Sequence, residues 1–198
     1  MKIADALTKN PLNDLLLVGA GLLLVGFAFK VALVPFHWWT PDVYEGAPTS
    51  ITAFMATGVK AAAFSALVRV FFSALPAFRP DWTSIMWVIC VATMTVGNIV
   101  AISQTNIKRM LAYSSISQMG YLLLGIASLN SLGISGAMLH YATHAIGKAI
   151  LFSVAGVIIV QFHGLRSISK MGGLASKMPI TAALALLGFM QITGVPPS

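Results

Sequence analysis

The chain has 198 residues, of which 58% are apolar and only 9% are charged, and its mean hydropathy is +0.88. Soluble domains carry about 25% charged residues, so this composition excludes a soluble domain and indicates a multi-pass membrane protein. The net charge of +7 comes from twelve lysines and arginines scattered along the chain, and this scatter argues against a nucleic-acid-binding patch.

Six apolar runs are long enough to cross about 30 Å of hydrocarbon, which takes about 20 helical residues. The runs occupy residues 14–34, 49–75, 82–104, 110–129, 134–162 and 178–195. The N-terminal residues carry charges but no apolar stretch with a cleavage site, so we expect no removable signal peptide. Because the links leave no room for an extramembrane domain, we predict a single all-α membrane domain over residues 1–198.

The first run contains Lys30, five residues before Pro35. Proline cannot continue the helical hydrogen-bond ladder, so we predict a broken helix next to Lys30. Backbone groups freed inside a membrane are tolerated where they line a hydrated cavity, which makes Lys30 a candidate site residue. The alternative is a lysine that extends from a helix end to the membrane surface. Pro196 and Pro197 predict a second broken helix at the other end of the chain.

The link that follows the first run contains aromatic and acidic side chains. Trp38, Trp39 and Tyr44 suit an aromatic belt at the level of the lipid headgroups. We expect Asp42 and Glu45 to be solvated or paired with a partner subunit rather than to take part in chemistry.

Lys60 lies about twelve residues into the second run, or about 18 Å from its start, which is close to the bilayer midplane. A lysine at that depth costs about 2.5–3.5 kcal/mol, and extension to the surface is natural only near helix ends. We therefore interpret Lys60 as a functional residue. Cys90, in the third run, is the only cysteine and excludes a disulfide or a C-x-x-C metal site within the chain.

The fourth run begins with polar residues, and the fifth run carries a stripe of titratable ones. Ser114, Ser115, Ser117 and Gln118 either hold water or make ordinary interhelical hydrogen bonds. In the fifth run, His140, His144 and Lys148 are spaced four apart and share one helix face. Such a stripe is suited to proton transfer, with the histidines supporting Lys148. A two-histidine metal site is the weaker alternative, because no carboxylate is close in sequence.

The links also predict orientation. Five cations follow the first, third and fifth runs, namely Lys108, Arg109, Arg166, Lys170 and Lys177, and three lie on the other side, namely Lys2, Lys9 and Arg79. Because lysine and arginine favour the cytoplasmic side, we expect the N-terminus outside and the link 35–48 in the cytoplasm.

Four separated stretches together resemble a known family. They are FKVALVPFHWWTPDVYEGAP, GNIVAISQTNIKRMLAYSSISQMGYLLLG, YATHAIGKAILF and TGVPP, and they resemble, in this order, the antiporter-like membrane subunits of respiratory complex I. The resemblance implies a bundle with Pro-broken helices, built from inverted repeats, in a proton-translocating NADH–quinone oxidoreductase. It implies that Lys30 belongs to the first broken helix, Lys60 to the next helix and Lys148 to the second half-channel. Family members have many more helices, so we expect a piece of a longer protein that lacks the glutamate partner of Lys30.

The resemblance also sets expectations for partners and location. NADH, flavin, iron–sulfur clusters and quinone would bind to partner subunits, with no redox cofactor in this chain, and its partners would be other membrane subunits, lipid, water and protons. We expect a bacterial plasma membrane, with an organellar inner membrane or a thylakoid as alternatives. Rival functions are a subunit of a sodium/proton antiporter or of a membrane-bound hydrogenase, and a structural scaffold that moves no protons.

Overall fold

A computed structural model describes residues 14–75 and 79–195. The described residues form eight helices, one further short 3-10 helix at Ile168–Lys170, and no β-strand. We name them α1 (Asp14–Val31), α2 (Trp39–Gly46), α3 (Thr49–Ala74), α4 (Arg79–Ile102), α5 (Ile107–Ala127), α6 (Ser131–Gln161), α7 (Leu174–Lys177) and α8 (Pro179–Thr193).

Each of the six predicted apolar runs is helical in the described residues. Helices α3, α5 and α6 and the Trp82–Ile102 part of α4 are long and apolar enough to cross a membrane, and α1 and α8 are shorter apolar helices. Helices suit this solvent because they satisfy their own backbone polar groups, which hydrocarbon does not do. The predicted all-α membrane fold is confirmed.

Helix α5 lies in the interior of the bundle. In its apolar segment 72% of the residues are buried, compared with 28% in α3 and 22% in α4. Glycine allows α4 to approach it closely, because a Cβ on Gly97 would lie 2.7 Å from the backbone nitrogen of Ser117. Small residues commonly bring membrane helices together in this way. The polar side chains of α5 therefore lie inside the protein rather than in lipid.

The predicted break next to Lys30 is confirmed. Helix α1 ends at Val31, and the next helix begins only at Trp39. Ala32, just after the end of α1, has a positive φ of 65°. The Trp39 indole N–H donates a 2.9 Å hydrogen bond to the carbonyl oxygen of Phe29 and so satisfies one of the last carbonyls of α1.

The break lies deep in the bundle, and α2 runs from it toward the surface. The Val34 N–H donates a 3.0 Å hydrogen bond to Thr93 Oγ1, and Thr93 is nine residues, or about 14 Å, from the end of α4. Asp42, in contrast, bonds to Arg109 near the start of α5. Helix α2 is thus the second half of a broken helix and packs within the bundle. The expected aromatic belt is wrong for Tyr44, whose side chain is fully buried.

Helix α3 contains a π-helical turn, Met55–Val59, directly before Lys60. A π turn widens the helix and redirects its carbonyl groups, and such turns are frequent at functional sites. In this turn the Thr57 carbonyl accepts a hydrogen bond from the Tyr141 hydroxyl of α6. The turn therefore joins α3 to α6 just where Lys60 enters the interior.

Helix α8 ends at Thr193, and Gly194 follows it with a left-handed φ of 70°. Glycine is favoured there because it has no Cβ to oppose that conformation. The second break, predicted from Pro196 and Pro197, lies outside the described residues.

Candidate functional site

Lys60 points into the interior from α3. Its side chain is 1% exposed, and its amine donates a 3.1 Å hydrogen bond to Ser115 Oγ of α5. The amine also lies 5.7 Å from the centre of the Tyr44 ring of α2, within the range of a cation–π contact. Three helices thus meet around this amine, and its midplane depth follows from its place in the second apolar run.

Lys148 reaches the same part of α5 from α6. It is fully buried, and its amine donates hydrogen bonds to the Leu111 carbonyl at 2.9 Å and to Ser114 Oγ at 3.0 Å. Ser114 and Ser115 are adjacent, so amines from two different helices bond to one turn of α5. Both serines therefore make interhelical hydrogen bonds, each to a buried lysine of another helix.

Neither amine has a carboxylate partner among the described side chains. The carboxylates described are those of Asp42 and Glu45, and both accept hydrogen bonds from Arg109, at 2.6 and 2.9 Å. Asp42 is largely exposed, as expected. Asp42 and Glu45 both form ion pairs with Arg109 of the same chain, whereas the sequence suggested a partner in another subunit. An ammonium buried without a counterion costs several kcal/mol, and releasing its proton removes that cost. The two lysines are therefore chemically suited to bind and release protons.

The two histidines continue the polar face of α6 away from Lys148. Their rings lie 6.4 Å apart at an interplanar angle of 27°, which confirms that they share a face. His144 is buried. Both of its ring nitrogens, and Nε2 of His140, have no hydrogen-bond partner in the described part of the chain. These nitrogens are therefore buried without a protein partner in the described residues.

A cavity of about 800 Å³ lies between α4, α5, α6 and α8. Its wall includes Ser114, Gln118 and His140, so it touches both the serine that binds Lys148 and one of the two histidines. Gln118 Oε1 and His140 Nε2 are buried and without a protein partner in the described residues. A cavity of this size with several polar groups can hold ordered water.

Lys30 lies apart from the buried pair. Its side chain is exposed at the end of α1, where it lines an apolar groove of about 540 Å³ between α1 and α3 together with Gly26, Phe27 and Gly58. The structure thus brings together Lys60, Lys148 and the histidines, and it leaves Lys30 on a different face.

Sequence reasoning missed a second group of charges, at the end of α2. We call it the α2–α5 polar cluster, and its members are Asp42, Glu45, Asn106, Lys108 and Arg109. Asn106 Nδ2 donates to Glu45 Oε1 at 2.7 Å, and the Lys108 amine donates to the carbonyls of Glu45 and Ala47 at 3.0 and 2.6 Å. Lys108 is only 2% exposed. Lys108 and Arg109 are adjacent cations in a link between apolar runs, which is typical of surface charges. Nothing local in the sequence indicates that the Lys108 side chain is buried.

Comparison with known sequences identifies relatives over the whole chain. A profile of the family described as NADH:quinone oxidoreductase/Mrp antiporter, transmembrane, matches residues 1–198. NADH-quinone oxidoreductase subunit N of Moorella thermoacetica is 46% identical over 99% of the chain, and that of Trichlorobacter lovleyi is 43% identical over all of it. The chain spans about 41% of the length of each of these two relatives.

Solved structures share the fold. The Mrp complex from a Dietzia species matches 93% of the chain and 34% of its own, with 29% identity and a TM-score of 0.87. Respiratory complex I from Thermus thermophilus matches 89% of the chain and 38% of its own, with 37% identity and a TM-score of 0.69. The chain therefore belongs to the NADH:quinone oxidoreductase/Mrp antiporter family of transmembrane proteins.

Proposed function

We propose that the chain is the proton-carrying part of subunit N of a proton-translocating NADH–quinone oxidoreductase. The observation that carries this proposal is the pair of buried amines, Lys60 and Lys148, bonded to adjacent serines of α5 without a carboxylate partner in the described residues. The names of the relatives support the assignment to subunit N, and so does the TPDVYEGAP stretch.

Each transfer moves one proton from a charged ammonium group to a neutral acceptor. An ammonium group donates its proton to a water molecule or to a neutral amine and becomes neutral itself, and the acceptor takes up the charge. Repulsion between two buried cations favours a state in which only one lysine is charged. A change of charge nearby can then drive the proton from one lysine to the other.

The cavity beside His140 is suited to bring protons to this pair. His140 lines the cavity, so water held there would contact it, and His144 lies between His140 and Lys148 on the same face of α6. We assign the histidines a supporting role as relays. Lys30, exposed at the broken helix, is proposed as a third proton carrier on the strength of the family resemblance, and it would act once a partner segment covers it.

The energy comes from other parts of the complex. We propose that NADH, flavin, iron–sulfur clusters and quinone bind to partner subunits and that quinone reduction supplies the change of charge. Other membrane subunits would pack against the chain. The two relatives come from bacteria, which favours a bacterial plasma membrane.

The test is proton pumping by the intact complex with Lys60→Met in membrane vesicles. We expect NADH-driven acidification to collapse while NADH oxidation by an artificial acceptor stays normal, and native gel electrophoresis of solubilised membranes checks that the complex assembles. Lys170→Met is the matched control, because Lys170 is an exposed lysine outside the buried pair. If Lys60→Met pumps as well as this control, the lysine is structural and the scaffold alternative replaces our proposal.

A sodium/proton antiporter subunit is the second candidate. It is favoured by the higher TM-score against the Mrp complex than against complex I. This candidate predicts sodium-dependent proton exchange without NADH in vesicles that contain the intact complex. NADH-driven pumping that does not depend on sodium would exclude it.

A further inference from the structure

Tyr44 of α2 is buried beside the amine of Lys60, and it contacts this amine through its ring rather than its hydroxyl. Its side chain is fully buried, and its hydroxyl has no hydrogen-bond partner in the described part of the chain. The ring packs edge-on against Phe152, with centroids 5.8 Å apart, and lies 5.7 Å from the Lys60 amine. Lys60 thus has two partners among the described residues, the face of this ring and the hydroxyl of Ser115. The titratable groups that face it from α6 are His144 and Lys148, and both variants of Tyr44 leave them unchanged.

The ring distinguishes between the two forms of the lysine. An aromatic face attracts an ammonium group through its quadrupole and offers little to a neutral amine. The attraction is strongest where water is excluded, and both side chains are buried. The ring of Tyr44 therefore favours the protonated form of Lys60, and its hydroxyl is not needed for this effect.

Helix α2, which carries Tyr44, is held at its outer end by the α2–α5 polar cluster. Asp42 and Glu45 bracket Tyr44 in sequence, and both bond to Arg109. The Lys108 amine also bonds to the carbonyls of Glu45 and Ala47 at the end of α2. These contacts come from the start of α5, the same helix that supplies Ser115 to Lys60.

We propose that Tyr44 is a positioning residue that stabilises the protonated form of Lys60 through its ring, and that the α2–α5 polar cluster holds this ring in place. This inference rests on the proposed proton-carrying role of Lys60. It adds that charges at the membrane surface control how readily a buried lysine, on another helix, keeps its proton.

The test compares Tyr44→Leu with Tyr44→Phe in the intact complex. The measured quantity is the number of protons pumped per NADH oxidised, over a range of pH. Without the ring, Lys60 loses its proton more easily, so the pH at which pumping falls by half should move to the acid side by about one unit in Tyr44→Leu. Tyr44→Phe keeps the ring and should follow the wild-type profile. Phe71→Leu is the control for lost volume, because Phe71 is equally buried but packs against Trp82.

Arg109→Gln tests the second half of the proposal. It should move the profile in the same direction as Tyr44→Leu, while Arg69→Gln, which removes an exposed cation of α3, should not. Native gel electrophoresis of solubilised membranes reports assembly in every variant.

The possible results separate the two proposals. An unshifted profile in assembled Tyr44→Leu, or an equal shift in Tyr44→Phe or Phe71→Leu, overturns the role of the ring. An unshifted profile in Arg109→Gln overturns the role of the cluster. If Lys60→Met pumps normally, the proposed function itself has failed, whatever the tyrosine variants do.

Discussion

Replacing Ser115 with alanine should impair proton transfer far more than replacing its neighbour Ser114. Lys60 has one hydrogen-bond acceptor among the described residues, the hydroxyl of Ser115 at 3.1 Å, whereas Lys148 has both Ser114 and the Leu111 carbonyl. A hydrogen bond to a charged group contributes about 1.5–3 kcal/mol. At 1.36 kcal/mol per tenfold change, its loss lowers the ratio of charged to neutral Lys60 by about tenfold to a hundredfold. Lys148 keeps its carbonyl partner in Ser114→Ala, so that variant should change much less.

The assay is NADH-driven acidification of vesicles that contain the intact complex, followed across pH. In Ser115→Ala we expect the profile to move to the acid side by about one to two units. Ser128→Ala is the matched control, because the Ser128 hydroxyl bonds to the Gly125 carbonyl at the end of α5 and touches neither lysine. Equal effects of Ser114→Ala and Ser115→Ala, or a wild-type profile in Ser115→Ala, would refute the assignment of Ser115 as the partner of Lys60.

Two further predictions concern stability, measured as the thermal unfolding midpoint of the purified complex in detergent. Gly97→Ala should lower this midpoint, because the new methyl group would lie 2.7 Å from the Ser117 backbone and overpacking costs about 1–3 kcal/mol. Gly26→Ala is the control, because Gly26 has open space around it. Equal midpoints in the two variants would contradict the close packing of α4 and α5. Tyr141→Phe should cost about 1 kcal/mol by removing the hydrogen bond to the Thr57 carbonyl. An unchanged midpoint in Tyr141→Phe would show that the π turn does not need this bond.

Much of the helical layout could be predicted from composition and spacing. Apolar runs of bilayer length had to be helices, because hydrocarbon offers no other partner for backbone polar groups. Pro35 predicted the break next to Lys30, because a proline in a helix interior removes a hydrogen bond of the ladder. The shared face of His140, His144 and Lys148 follows from the helical repeat alone.

The second half of the broken helix was not predictable. Its residues, WTPDVYEG, are polar and aromatic enough to look like a surface link. They form α2 because Tyr44 packs against Phe152 of α6 and because Asp42 and Glu45 bond to Arg109 of α5. Both partners, Phe152 and Arg109, lie more than sixty residues away in the chain, so no local pattern contains this information.

The sequence by itself determined that the surroundings are lipid, the number of apolar helices and the midplane depth of Lys60, since these depend on composition and on distances along one helix. Only the tertiary structure decided which groups those lysines contact. It placed Lys60 and Lys148 on adjacent serines and left Lys30 on another face. Contacts between helices depend on how the helices pack, and packing is set by many side chains at once, including the glycines that bring α4 against α5.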